Sequence, residues 1–352
     1  MNWTPLIDRS STLGVKALSV LDEVTETILA TENTGYEAAL MLTYLAMSEH
    51  RRPRMDQAIE RLNRAIRRAE VLYSARRFGL HGGLAGLGWT IEHVARRVNG
   101  LPPRQTSSEL NDDTDSALFL ELERGKWRGD WSLSTGLTGI GIYFLERLPE
   151  ARAVQGLQLV LAHHEERWCT ARSEVQSTAV ELRDLAYLLF ELATAGIEQN
   201  RSLKLLENVL NRLVAGARYG AIDWFCGRLG VAAAVSAIGR RLERADCRAF
   251  SRRELEQCSG ELRCMLGGTP FSLQGILGAG HVWNRLWQEN GDSGYREAAI
   301  FCFEKGLDSV AGAAKRVESG FMDGTAGAGL ALTAALTSIE PEWDRLVCLS
   351  TR

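Results

Sequence analysis

The sequence predicts an all-α protein built from repeated helical hairpins, and three observations support this fold class. A six-residue pattern, Gly-x-x-Gly-x-Gly, returns along the chain at nearly regular intervals. Each copy leads into an apolar segment. Strand signals are weak, because β-branched residues rarely alternate with polar ones and no Asn-Gly or Asp-Gly pair separates two strand-like runs.

The spacing of the glycine pattern indicates a repeat of about 50 residues, which is the size of one helical hairpin with its connections. The five copies begin at Gly83, Gly136, Gly227, Gly275 and Gly324, and in the third copy Ala232 replaces the last glycine. The interval between the second and third copies is about twice the others, so we expect a degenerate copy near residue 182. There, Leu182 to Leu192 is a leucine-rich stretch without the glycines.

Other stretches also read as helices. Ala17 to Leu29 has helical apolar spacing, and Tyr36 to Met47 consists largely of strong helix formers. Met55 to Arg77 reads as one amphipathic helix. The glycine pattern itself is not a dinucleotide fingerprint, since the glycine order differs and no strand precedes it.

Composition limits the functional classes. A net charge of -3 with 24% charged residues provides no basic footprint for nucleic acid. Seven scattered cysteines and the absence of a signal-like or membrane-length apolar run favour a protein of the reducing cytoplasm without a membrane span. Because the glycine repeat runs past every loop-like stretch, we expect one domain over residues 1–352.

From about Leu80 to Leu332 the chain resembles the lanthionine synthetase C-like (LanC-like) cyclase family. The similarity is carried by Ser-Thr-Gly-Leu-Thr-Gly-Ile-Gly at 134–141, Trp-Phe-Cys-Gly at 224–227 and Phe-Met-Asp-Gly-Thr-Ala-Gly at 321–327. The resemblance implies an α/α toroid, a double-layered helical barrel of about six or seven hairpins. It also implies thioether ring closure, in which a cysteine thiol adds to dehydroalanine or dehydrobutyrine.

The zinc ligands of that family are missing here. The three ligand positions fall on Phe225, Leu273 and Gln274. Cys226 stands one residue beyond its expected place, and Ser132 and Tyr187 stand where the family often has an aspartate and a histidine. A site made by Cys226, His81 and Asp323 lacks any short ligand spacing, so we expect no metal and no other cofactor.

Three residues just before the glycine motifs are the candidate catalytic groups. His81 is a candidate general base or acid, or else a structural histidine at a helix start. Asp323 is a candidate partner for a histidine or a substrate amine, or else a plain helix N-cap. Cys226 is a candidate nucleophile, or else an inert buried thiol.

Further residues are expected to line the site and contact a peptide substrate, with core packing as the alternative for Trp224 and a hydrogen bond within the loop as the alternative for Gln274. They are Ser134, Thr135, Tyr187, Trp224 and Gln274.

Three functional hypotheses follow from these residues. The first is a zinc-independent cyclase in the maturation of a lanthipeptide-type ribosomal peptide, which would bind a precursor peptide by its leader and dehydrated core and work with separate dehydration enzymes. The second is a non-catalytic LanC-like scaffold that binds the precursor or those enzymes. A glycan-active enzyme is a third alternative, but it would require two cavity carboxylates and only Asp323 occupies a matching position.

Overall fold

A computed structural model describes residues 3–31, 35–49, 52–99, 109–170, 177–216, 227–262, 271–309 and 320–351, and all regular structure in these ranges is helical. The α-helices are α1 (Thr12–Ala30), α2 (Tyr36–Glu49), α3 (Arg52–Ile66), α4 (Ala69–Ser74), α5 (Leu84–Asn99), α6 (Asp112–Glu123), α7 (Leu137–Glu146), α8 (Ala151–Thr170), α9 (Ala179–Thr194), α10 (Gln199–Val214), α11 (Arg228–Arg241), α12 (Ala245–Glu261), α13 (Ile276–Asn290), α14 (Ser293–Ser309) and α15 (Thr325–Leu336). Among these helices, none combines the length and the apolar character needed to cross a membrane.

The chain divides into two units by its internal contacts. Unit 1 comprises Met1–Asn63, Gly220–Ser236 and Arg248–Asp344, and unit 2 comprises Arg64–Tyr219, Ala237–Cys247 and Arg345–Arg352. In unit 1, α13 packs on α14, and α15 packs on α1 and α2. In unit 2, α7 packs on α5, α8 and α9, and α9 packs on α10. The interpretation of residues 1–352 as one domain stays a prediction.

All five glycine motifs lead into helices, as the sequence predicts, namely α5, α7, α11, α13 and α15. The first glycine of the motif is the N-cap of α7, α13 and α15, in each case without a side-chain capping bond. The backbone at Gly136 is extended, with φ -125° and ψ -160°, and residues other than glycine can adopt this conformation. Gly136 is therefore required by space, because a Cβ there would lie 2.3 Å from the Asp130 carbonyl oxygen.

The second glycine of the motif faces backbone. A Cβ on Gly139 would lie 2.2 Å from the carbonyl oxygen of Leu133, and a Cβ on Gly327 would lie 1.8 Å from that of Phe321. In both motifs the obstructing carbonyl belongs to the residue six positions earlier. The loop before each of these helices thus folds back against the first helical turn, which only glycine permits.

The third glycine instead faces a side chain of a neighbouring helix. A Cβ on Gly141 would lie 2.9 Å from the Leu188 methyl groups, and a Cβ on Gly329 would lie 2.6 Å from the terminal methyl of Met41. Side-chain ends can move, whereas a backbone carbonyl cannot move cheaply. This difference explains why the third position, and not the second, accepts alanine at Ala232.

The stretch expected to be a degenerate repeat is helical, as predicted, and its helix begins with a side-chain cap instead of a glycine. Helix α9 begins with a capping box, in which the Thr178 hydroxyl accepts from the Glu181 amide at 3.2 Å and the Glu181 carboxylate accepts from the Thr178 amide at 3.3 Å. Such a box satisfies helix-start amides without a glycine loop. Helix α9 therefore begins with a side-chain cap, whereas α7, α13 and α15 begin at a glycine.

The expectation of one helix from Met55 to Arg77 is wrong. Helix α3 ends at Ile66, a turn follows, and the short α4 begins at Ala69. No residue of α4 is buried, and Val71 is 67% exposed. Helices in proteins are stabilised mainly by packing of an apolar face. Because α4 buries no residue, packing does not hold residues 67–77 in a continuation of α3.

Unit 2 contains a buried ionic network at the end of α7. The guanidinium of Arg147 donates to Asp115 at 2.7 Å and to Glu92 at 2.8 Å, and the Tyr143 hydroxyl donates to Asp115 at 2.5 Å. All four side chains are buried. Burial raises the pKa of Tyr143 well above its ordinary value, and the charge and hydrogen bond of Asp115 act in the same direction. The phenol is therefore a permanent donor to Asp115.

Substitution of the second glycine of a motif should lower the free energy of unfolding more than substitution of the third glycine. We expect Gly139→Ala to lower the free energy of unfolding by about 2 kcal/mol or more, because the new methyl overlaps a carbonyl, and Gly141→Ala to lower it less. Gly260→Ala is the control, since no atom of the described residues lies within 4 Å of its Cβ position; it should raise stability by up to about 1 kcal/mol. Chemical denaturation measures all three, and equal losses for Gly139 and Gly141 would contradict the assignment.

Removal of the Arg147 guanidinium should be strongly destabilising, because the buried Asp115 and Glu92 would each lose a guanidinium partner, and the Arg96 guanidinium lies farther from Glu92, at 3.8 Å. We expect Arg147→Ala to cost about 3–5 kcal/mol. Arg201→Ala serves as the matched control, because Arg201 also bridges two carboxylates, Glu165 and Glu198, but is 46% exposed. It should cost no more than about 1 kcal/mol in the same denaturation experiment.

Candidate active site

The predicted site residues are distributed over both units. His81, Ser134 and Thr135 lie in unit 2, in the loops that precede α5 and α7, and Tyr187 lies on α9 of the same unit. Gln274 and Asp323 lie in unit 1, in the loops that precede α13 and α15. Trp224 and Cys226 lie outside the described residues.

Successive motif loops are joined through their backbones within each unit. The His81 amide donates to the Ser134 carbonyl at 2.9 Å in unit 2. The Gln274 amide donates to the Met322 carbonyl at 3.1 Å in unit 1. The structure thus brings together the predicted residues His81 and Ser134, and places Gln274 beside the residue preceding Asp323, as expected if neighbouring repeats align.

Thr135 is held in a loop organised by Asp130, a residue that the sequence reasoning missed. The Asp130 carboxylate accepts from the Ser132 hydroxyl at 2.6 Å, from the Trp131 amide at 2.6 Å and from the Thr135 hydroxyl. Burial raises the pKa of Asp130, but the hydrogen bonds from Ser132 and Thr135 outweigh burial and lower it overall. The Asp-x-Ser-x-x-Thr spacing could have identified Asp130 in the sequence, since Asp and Ser side chains commonly hydrogen-bond to the backbone in such turns.

The C-terminal segment, residues 346–350, lies directly against two predicted site residues. The ring Nε2 of His81 is 3.1 Å from the Leu346 carbonyl oxygen, and the Tyr187 hydroxyl donates to the Ser350 carbonyl at 2.6 Å. The side chains of this segment are buried. In this arrangement the Tyr187 hydroxyl bonds the protein's own backbone, and its substrate-binding role stays a prediction.

Two further charged residues of α9 belong to this site. Arg183 and Asp184 are buried and paired, with 2.8 Å between the Arg183 Nε and the carboxylate. Cys348 of the C-terminal segment also hydrogen-bonds to the Asp184 carboxylate. The sequence contains a feature that could have identified these two residues, namely an Arg-Asp pair inside a leucine-rich helix. Charged side chains are rarely fully buried unless they are paired.

Burial controls the electrostatics of the site. It lowers the pKa of His81 to about 4, helped by the charge of Arg183 and opposed by the Leu346 carbonyl, so the imidazole is neutral at pH 7. A carbonyl only accepts, so Nε2 carries the proton and Nδ1 is the basic nitrogen. Burial also raises the pKa of Asp184, against the opposing effects of Arg183 and Cys348. The site therefore offers a weakly basic imidazole beside a carboxylate held by a guanidinium.

Asp323 and Gln274 have exposed side chains in unit 1. The N-cap of α15 is Gly324, and it makes no side-chain capping bond. The alternative interpretation of Asp323 as a helix N-cap is therefore wrong, because the residue lies one position too early. Its exposed carboxylate is available to a ligand, and its proposed roles stay predictions.

Zinc does not fit the residues at the family's ligand positions. Leu273 is a buried aliphatic side chain whose Cδ1 lies 2.7 Å from the Cβ position of Gly327, and Gln274 offers only a neutral amide. Phe225 lies outside the described residues. Zinc prefers thiolate, imidazole and carboxylate ligands. In the described ranges, no group of three or more His, Cys, Asp or Glu side chains could hold a metal ion.

Comparison with known proteins supports the fold and leaves the activity open. No family model matches the sequence, and no curated protein matches it. Among solved structures, nisin cyclase is similar over 95% of this chain and 97% of its own length, with a TM-score of 0.64 and 13% sequence identity. The all-α fold expected from the sequence is confirmed by this likeness. The chain therefore has a LanC-like fold.

Proposed function

We propose that this protein is a zinc-independent LanC-like cyclase that closes thioether rings in a dehydrated ribosomal peptide. The observation that carries the proposal is the LanC-like fold over nearly the whole chain, with a half-buried His81 in the loop before α5 and the buried Arg183 and Asp184 pair of α9 close to it. The substrate would be a precursor peptide with leader and dehydrated core, supplied by separate dehydration enzymes in the cytoplasm.

The reaction needs positioning and two proton transfers. The cysteine sulfur bonds to the β-carbon of a dehydroalanine or dehydrobutyrine, and the alkene electron pair moves to the α-carbon as an enolate. The thiol proton goes to a base, and the α-carbon then takes up a proton. Holding thiol and alkene together contributes most of the acceleration for such an addition. His81 would accept the thiol proton at Nδ1 and return it to the enolate.

The properties of His81 also favour a second candidate, a scaffold that binds the peptide or its dehydration enzymes without chemistry. A base of pKa about 4 is poorly matched to a thiol of ordinary pKa about 8.5. The C-terminal segment, moreover, contacts both His81 and Tyr187. Both observations reduce the expected contribution of His81 as a general base, so its effect on the rate is expected to be modest.

The cyclase proposal is tested by thiol consumption. Purified protein is incubated with the dehydrated precursor, with and without a metal chelator, and free thiols are counted by alkylation and mass spectrometry. We expect thiol loss faster than in the uncatalysed reaction and unchanged by the chelator. Thiol loss at the uncatalysed rate, with the peptide still bound in a pull-down, would establish the scaffold instead. Activity abolished by the chelator would overturn zinc independence.

His81→Ala should slow cyclisation by about 10²-fold, the lower end for a general acid–base group, because the remaining rate comes from positioning. His163→Ala is the matched control, since His163 also contacts a backbone carbonyl through Nε2, at 3.1 Å from the Leu122 oxygen. It should leave the rate unchanged. Single-turnover thiol loss measures both variants, and equal rates for the two would remove His81 from the mechanism.

A further inference from the structure

The C-terminal segment, residues 346–350, contacts two predicted site residues of unit 2 through its backbone. The His81 Nε2 lies 3.1 Å from the Leu346 carbonyl oxygen, and the Tyr187 hydroxyl donates to the Ser350 carbonyl oxygen at 2.6 Å. Leu346 and Ser350 stand two positions before and two positions after Cys348. Every residue carries a carbonyl acceptor, so a peptide of another sequence could accept the same two bonds.

The side chain at the middle of this segment is a cysteine, and it contacts a charged residue of the site. The Cys348 thiol donates a hydrogen bond to the Asp184 carboxylate. Asp184 is held in turn by Arg183, whose Nε lies 2.8 Å from the carboxylate, and all three side chains are buried. Cysteine is also the side chain whose sulfur the proposed cyclisation joins to an alkene. The structure thus shows a peptide thiol bound to a fixed carboxylate inside the candidate active site.

Asp184 has the properties of a residue that selects a thiol. Burial raises its pKa, against the opposing effects of Arg183 and Cys348. A carboxylate accepts hydrogen bonds, and a buried acceptor left without a donor costs free energy, so this position favours a thiol over an aliphatic side chain. The charge of Arg183 also lowers the pKa of His81, so the thiol acceptor and the candidate base lie in one region.

Two features of the segment weaken its hold on the site. Cys348 has a φ of 60°, in the left-handed region that residues other than glycine adopt at a cost in free energy. The Ser350 hydroxyl is buried without a hydrogen-bond partner among the described residues, which is also unfavourable. Burial of Leu346 and Leu349 opposes both effects. We therefore expect the segment to detach at a smaller cost than the helices of the core.

We propose that residues 346–350 occupy the place of the substrate peptide, with the Cys348 thiol where the thiol of the reacting cysteine binds. Asp184 is then the residue that recognises the substrate cysteine, and Tyr187 binds the peptide backbone. The segment must leave before a peptide can enter, so it limits access to the site. The inference rests on the proposed function, in which a peptide cysteine binds at this site.

Alkylation of the folded protein tests whether the segment detaches without global unfolding. The protein is treated with N-ethylmaleimide, and labelling of each cysteine is followed by peptide mass spectrometry. Cys302 of α14 is the internal control, since it is fully buried like Cys348. We expect Cys348 to be labelled at least about tenfold faster than Cys302, because local opening requires less free energy than unfolding of the core. Equal labelling rates would make the segment a permanent part of the core and would overturn the proposal.

A peptide with the sequence of the segment tests the binding place directly. The probe is the acetylated and amidated heptapeptide of residues 346–352, Leu-Val-Cys-Leu-Ser-Thr-Arg, titrated by calorimetry into the full-length Cys348→Ala protein. Cys302→Ala is the matched control, because it removes the same sulfur from an equally buried position. We expect the peptide to bind Cys348→Ala at least about threefold more tightly than Cys302→Ala, since the competing segment has lost its bond to Asp184. Equal affinities would refute the competition.

Recognition of the thiol is tested with a second heptapeptide that has alanine in place of cysteine. It should bind the Cys348→Ala protein at least about threefold more weakly than the cysteine peptide. Asp184→Asn, added to that protein, should abolish the difference between the two peptides, as a double-mutant cycle requires. Equal binding of both peptides to a folded Cys348→Ala protein would remove Asp184 from cysteine recognition.

These outcomes are distinct from the outcome of the cyclase test, because the heptapeptides contain no dehydrated residue and cannot form a ring. Catalysed thiol loss from the dehydrated precursor, with equal binding of the two heptapeptides, would keep the cyclase and overturn this inference. The expected heptapeptide binding without catalysed thiol loss would support the peptide site in a scaffold.

Discussion

The contact between the second glycine of a motif and a backbone carbonyl six residues earlier, seen before α7 and α15, is the constraint on which the rest of the structure depends. Gly139 against Leu133 and Gly327 against Phe321 leave no room for a side chain. This contact turns the incoming loop back onto the first helical turn. Loops held in this way can then pair with one another, as the amide of His81 does with Ser134. Glycine therefore acts here through its small volume and not through unusual backbone angles.

The candidate active site follows from this arrangement but is completed by residues distant in sequence. The motif loops place His81 in position, and α9 contributes Arg183, Asp184 and Tyr187. The chain returns at its end to contact the same group, and the carbonyls of the C-terminal segment bond His81 and Tyr187. Burial of this group makes the imidazole a weak base. The same packing that organises the site thus limits the acid–base contribution of His81 to the proposed cyclisation. A larger share of the expected rate enhancement then comes from positioning the peptide.

The start of α9 differs from the starts of the helices that follow the glycine motifs. Helix α9 starts from the capping box of Thr178 and Glu181 instead of a glycine loop. A cavity lined by Arg167 and Arg212 lies beside this start. Where the repeat is regular, side chains of neighbouring helices fill the space that the third glycine leaves, as Leu188 does at Gly141.

The sequence by itself determined the all-α class, the helices that follow the glycine motifs and the helix over Leu182 to Leu192, because spacing and helix propensity are local properties of the chain. It also pointed to His81 as a site residue. Only the tertiary structure decided that Arg183, Asp184 and the C-terminal segment join His81, that Asp323 is not a helix cap, and that α3 and α4 are separate. These features depend on which surfaces pack together and on how far each charge is removed from water, and neither property can be read from residue spacing.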